Sequence, residues 1–112
     1  MHDSLPGAPD PPSQEDWLRR LADRTSAALF VKALDGRVLF VNREFERLLA
    51  RPAETIVGRF DLELFPDTAA TLRDNDARVI AERRAIDFEE TIHTVQGSRT
   101  YLAHKFPLLG AD

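Results

Sequence analysis

Residues 33–50 read ALDGRVLFVNREFERLLA, and the pattern changes at Asn42. On its N-terminal side, two apolar runs, "AALFVKA" and "VLFV", flank Asp35-Gly36, which is a strong short-range hairpin signal. On its C-terminal side, Phe45, Leu48 and Leu49 recur at helical spacing and give one buried face. Asn42 suits the N-cap between them, because its side-chain oxygen can accept from a backbone N–H two or three residues further on. The stretch therefore predicts a hairpin feeding directly into a helix. The join has a structural job and need carry no chemistry.

Toward the N-terminus, Ser13-x-x-Asp16 resembles a capping box, with Gln14, Glu15 and Asp16 at the positive end of a helix dipole. Trp17, Leu18, Leu21 and Ala22 follow at helical spacing, predicting an amphipathic helix over 13–25. It packs either on its own domain or on a second copy. Residues 1–12 hold four of the seven prolines and no periodicity, so they read as a flexible linker. They have neither the basic start nor the apolar stretch of a secretory signal.

Toward the C-terminus, Pro52 fits the first turn of a short helix, "PAETIV", which Gly58 ends in the left-handed conformation. Asp61 can cap a single turn, and Pro66 or Asp67 can open a longer helix to about Arg84. At ~100° per residue, Ala69, Leu72, Val79 and Ile80 share one sector of that helix, with Asp76 in its middle and Asn75 at its edge. A carboxylate on a buried stripe needs a cation, several donors or a polar cavity. Two alternating strands close the chain. In "IDFEETIHTV", Phe88, Glu90 and Ile92 share a face. In "SRTYLAHKFPLL", Leu102, His104, Phe106 and Leu108 share one face and Tyr101, Ala103 and Lys105 the other. Gln96-Gly97 supplies the turn between them. The sheet is expected to be covered on both sides.

Composition narrows the function classes. A chain of 112 residues, 43% hydrophobic and 30% charged, is one small globular domain. No apolar run approaches the ~20 residues that span a bilayer. Net charge −4 without a basic cluster argues against nucleic-acid binding. The absence of cysteine excludes disulfides, thiolate nucleophiles and cysteinyl cofactor adducts.

Taken together, "DGRVLFVNREFERLL", "GRFDLELFP", "LRDNDARVI", "FEETIHT" and "RTYLAHKFPLL" resemble a PAS domain over about residues 27–108, in family order and spacing. The variety resembles PAS modules of bacterial sensor histidine kinases and related signalling proteins. The resemblance implies an α+β PAS fold over 26–112: a five-stranded antiparallel sheet with helices on one face around a small-molecule pocket, plus the N-terminal amphipathic helix. The family's last strand lies between the first and fourth and would follow "LLGAD", so the domain is expected to be C-terminally truncated.

The implied function is a cytoplasmic sensory or relay module. It would bind a small ligand, dimerise, or both, and so regulate a covalently linked output domain such as a histidine kinase or cyclic-dinucleotide enzyme. The candidate pocket residues are Phe45, Leu49, Phe65 and Leu72, then Asn75, Asp76 and Val79 on the long helix and Phe88 and Glu90 on the strand. Asp76 and Lys105 form a candidate structural pair. Trp17, Leu18 and Leu21 are the candidate interface of a homodimer. No nucleic-acid or membrane contact is implied for this segment.

Cofactors are none or an unknown small molecule. Haem is not implied, since residues 67–84 lack histidine, and a covalent flavin adduct lacks its cysteine; non-covalent flavin stays open. His93 and His104 show no metal-ligand spacing, and His2 lies in the linker. One alternative is a purely architectural dimerisation domain without ligand. A remoter one is a small α+β enzyme using Asp76 as acid or base, although no nucleophile–base–orienter set accompanies it.

Overall fold

The computed structural model describes residues 13–108. The linker expected over 1–12 and the strand expected to follow "LLGAD" therefore lie outside the described residues. Helix α1 spans Gln14–Arg24, and its N-cap Ser13 accepts a hydrogen bond from the Asp16 N–H at 3.2 Å. Strands β1 (Phe30–Lys32) and β2 (Val38–Val41) form the first hairpin. Its turn places Gly36 at φ 96°, a conformation that favours glycine, and Asp35 Oδ1 accepts from the Arg37 N–H at 3.0 Å.

A bulge interrupts this hairpin: Val31 pairs with Phe40 and Lys32 with Val38, so Leu39 has no partner in the register. That extra residue has a packing consequence. Val38 and Val41 are three apart and would face opposite sides of a regular strand, yet both are buried.

Asn42 caps α2 (Arg43–Leu49), its Oδ1 accepting from the Phe45 N–H at 3.0 Å. A 3₁₀ turn follows at Ala53–Thr55, after Pro52 rather than including it, and Gly58 sits at φ 90°. There the chain doubles back along β2: the Gly58 N–H donates to the Val38 carbonyl and the Val38 N–H to the Arg59 carbonyl, at 2.8 and 2.9 Å.

The central helices depart from the sequence expectation in three places. The single turn α3 (Asp61–Leu64) is capped from Phe60, whose N–H reaches Glu63 Oε1 at 3.4 Å. Asp61 is its first helical residue, and its carboxylate is drawn away to Lys32. Helix α4 (Ala69–Glu82) begins at Ala69 rather than at Pro66 or Asp67, because the Thr68 N–H bonds to the Phe65 carbonyl and closes a separate turn. On α4, Ala69, Leu72 and Val79 are buried, Asn75 and Asp76 are half-buried, and Ile80 is exposed. The buried sector is thus rotated toward Asn75, and Asp76 lies between it and the solvent edge.

Strands β3 (Ile86–Thr94) and β4 (Gly97–Lys105) form a long antiparallel hairpin in register from Ile86↔Lys105 to Thr94↔Gly97. Its turn is Val95-Gln96, one residue earlier than expected, with Gly97 opening β4 at φ 107°. The core gathers Val38, Val41, Phe45, Leu49, Ile56, Phe65, Leu72 and Ile92 into one cluster.

The α+β architecture is the one expected from the PAS resemblance, with four of its five strands among the described residues, in two two-stranded antiparallel sheets. Among the described residues, β1 pairs only with β2 and β4 only with β3. Among the described residues the second face of the sheet is left uncovered: Leu39 and Leu102, with Phe106 and Leu108 just past β4, are exposed. Helix α1 leaves it open, for Trp17, Leu18 and Leu21 are themselves 56%, 60% and 65% exposed.

Candidate functional site

Between the hairpins and the helices lies a cavity of about 630 Å³, a size that accommodates a small organic ligand. Phe30, Phe45, Leu64, Phe65, Leu72, Ile92 and Tyr101 supply its apolar walls. Lys32, Asp61, Glu90 and Lys105 also line it and give it a charged side. Leu102 and His104, on the outer face of β4, border it as well, so it opens through the gap between the two hairpins.

The charged side is built by residues from five elements. Alternation along β4 turns Lys105 inward, where it is 6% exposed, and Lys32 sits on β1 two residues from Phe30. From α4, Asp76 reaches both lysines: Oδ2 accepts from Lys32 Nζ at 2.8 Å and Oδ1 from Lys105 Nζ at 2.7 Å. Lys32 also bonds Asp61 Oδ2 of α3 at 2.6 Å. Lys105 pairs with Glu90 Oε2 of β3 at 2.5 Å, and Asn75 Nδ2 donates to that same oxygen at 3.0 Å. Through Asp76 the cluster ties β1 to β4, which share no ladder.

Burial disfavours the charged Lys32, but the attraction of Asp76, the hydrogen bonds to Asp61 and Asp76 and the Asp61 charge outweigh it. Lys32 is therefore held above its ordinary value of 10.5 and stays an ammonium. Phe30 lies beneath both cations, its ring centre 5.3 Å from Lys32 Nζ and 5.8 Å from Lys105 Nζ.

Of the residues anticipated for a pocket, Phe45, Phe65, Leu72 and Glu90 line the cavity. Leu49 and Val79 are buried in the packing instead. Asn75 and Asp76 stand behind the lining, orienting Glu90 and the lysines, and Phe88 is half-buried with its ring 5.9 Å from Lys105 Nζ. The sequence reading missed Lys32, Asp61, Phe30 and Tyr101. A signal for Lys32 existed: it is a lone cation in an apolar strand, and one of two lysines in the chain.

Both strand histidines are exposed on β3 and β4, His93 against Ser98 and His104 against Asp87. Among the described residues no group of His, Cys, Asp and Glu converges as a metal site. None of their helices is long and apolar enough to cross a membrane.

Comparisons with known proteins agree with this architecture. The family described as PAS fold matches residues 22–112. The methanogenesis regulatory histidine kinase FilI of Methanothrix harundinacea (strain 6Ac) is 33% identical over 96 residues, which are 84% of this chain and 11% of that protein. The chain thus spans about a tenth of that relative's length.

Among solved structures, an RNA-binding light-oxygen-voltage receptor superposes with TM-score 0.71 at 23% identity, over 93% of this chain and 33% of that one. The PAS domain of Bordetella pertussis BvgS gives 0.70 at 21%, over 88% and 76%. The PAS domain of an HTR-like protein from Haloarcula marismortui gives 0.65 at 21%, over 84% and 85%. At such identities these structures establish the fold alone.

Proposed function

The chain belongs to the PAS-fold family, and from that premise we propose that it is a ligand-binding sensory module that dimerises and regulates a covalently attached output domain. The observation that carries the reading is the cavity of about 630 Å³, with aromatic and aliphatic walls, the Lys32/Asp61/Glu90/Lys105 cluster on one side and Glu44, Arg47 and Arg99 among its other lining residues. Its charged side joins β1, α3, α4, β3 and β4 through side chains, so a ligand seated there touches the contacts that set how the two hairpins stand to each other. A histidine kinase is the output we favour, since the matching region of FilI lies in one. Against a use of Asp76 as acid or base, both its oxygens are engaged by lysines.

Native mass spectrometry of freshly purified protein, before any addition, tests the ligand reading. The expected result is a bound small molecule lost on denaturation. A bare mass, together with no response to a small-molecule library in thermal melts, would leave only a dimerising scaffold.

Dimerisation is supported by two apolar surfaces left exposed among the described residues, the Trp17/Leu18/Leu21 stripe and the outer face around Leu102 and Phe106. Changing Trp17 and Leu21 together to Glu should shift sedimentation toward the monomer with stability altered by less than about 0.5 kcal/mol per site, because both are exposed. An unshifted profile removes the stripe from the interface.

A further inference from the structure

We propose that the charged side of the cavity takes the protonated nitrogen of an organic amine carrying a flat apolar body. This rests on the reading of the cavity as a ligand site and names the ligand's class. The cluster holds two cations, Lys32 and Lys105, and three carboxylates, Asp61, Asp76 and Glu90. The formal sum of this cluster is −1 with all five ionised, and a cation would neutralise it where a carboxylate ligand would double the excess; Glu44, Arg47 and Arg99, which also line the cavity, stand outside the cluster's hydrogen bonds.

The hydrogen bonds agree with the charge. Asp76 has both oxygens engaged, but among the described residues Asp61 is bonded only through Oδ2 and Glu90 only through Oε2. Both residues line the cavity, and Glu90 is 8% exposed. Asp61 Oδ1 and Glu90 Oε1 have no hydrogen-bond partner among the described residues, and both residues line the cavity, so each oxygen can receive a donor from a ligand.

An ammonium group supplies up to three donors with its charge. The neighbouring walls suit the rest of such a molecule, because Phe30, Phe45, Phe65 and Tyr101 present aromatic surface that attracts cations and packs flat rings. A metal ion fits poorly, since two lysines stand among the three carboxylates and no ligand group converges.

Three probes with one apolar body test the proposal on the 112-residue chain by calorimetry or ligand-observed NMR: 2-naphthylmethylamine, 2-naphthamide and 2-naphthoate. The amine, protonated at pH 7, should bind at least tenfold more tightly than the amide, and naphthoate most weakly. Glu90→Gln and Asp61→Asn should each erase most of the amine's advantage while leaving amide binding in place. Because the amide reports an intact cavity, a variant that binds none of the three has lost its fold and is replaced by the other. Equal binding of all three probes, or preference for the amide or naphthoate, overturns the assigned class while the ligand site stands. Binding of none by the parent chain overturns the site itself, and the inference with it.

Discussion

Two polar nodes hold this molecule together, and they are built on opposite principles. Asn42 is fully buried and makes four side-chain hydrogen bonds, all to backbone. Its Oδ1 accepts from Leu29 and Phe45, and its Nδ2 donates to Ala22 and Ala27 at 2.7 and 2.8 Å. One neutral amide thereby fixes the end of α1, the loop before β1, the entry of β1 and the start of α2, with its donor and acceptor capacity filled. Asp76 is charged, 24% exposed in its side chain, and bonded only to side chains from strands 44 and 29 positions away. Its neighbours Asp61 and Glu90 line the cavity, and each has one oxygen without a partner among the described residues. The contrast is between a node whose hydrogen-bonding capacity is filled by backbone and one held by charged side chains beside a cavity.

The largest effect belongs to the neutral node. Asn42→Ala removes four bonds at once and leaves two N–H groups and two carbonyls to find other partners, each costing about 1–3 kcal/mol where water cannot reach. A loss above about 3 kcal/mol in urea unfolding is expected. If Asn42→Ala costs less than removal of Asp76, the ranking of the two nodes is reversed and the comparison breaks.

The sequence disclosed these nodes unequally. The cap made by Asn42 was legible because it is local: the Phe45 N–H is three residues away, and hairpin and helix signals meet there. Its bonds to Ala22 and Ala27 were not, since they depend on where a turn returns α1. The pairing of Asp76 with Lys105 could be anticipated from alternation on β4 and a stripe on α4. The role of Lys32 could not be placed so easily, because a bulge at Leu39 breaks the alternation that would assign faces in the first hairpin. Asp61 was read as a cap for the same underlying reason: local signals favour nearby backbone, and a half-buried lysine from strand β1 outcompetes them.

The charged node should answer next. Asp76→Ala takes one carboxylate from each of two lysines, which keep Asp61 and Glu90 as partners, and a loss of about 1–3 kcal/mol is expected, below that of a fully stranded buried charge. Adding Lys105→Met should cost less than the two single losses summed, since the contact the two residues share can be lost only once; Glu90 then retains Asn75. A double-mutant cycle whose losses simply add would mean that Asp76 and Lys105 do not interact. A cycle that couples strongly would sharpen the contrast, for Asn42 has no single partner whose removal could compensate its loss.

The smallest effect is a pH dependence that only the charged node can produce. Lys32 is held above its ordinary value of 10.5, so it binds its proton more tightly folded than unfolded. Its contribution is therefore complete below 10.5 and is lost as pH rises through the folded value. Lys32→Met should be less stable than the parent near neutrality, because Asp61 and half of Asp76 lose a cation. The gap between the two chains should then narrow above pH 10.5, as the parent's own lysine gives up its proton. Every other alkaline group is common to both chains, so the difference of their unfolding curves isolates this one. A gap that stays constant into the alkaline range would mean that Lys32 acts through its packing on Phe30, and the distinction between a charged and a neutral node would rest on Lys105 alone.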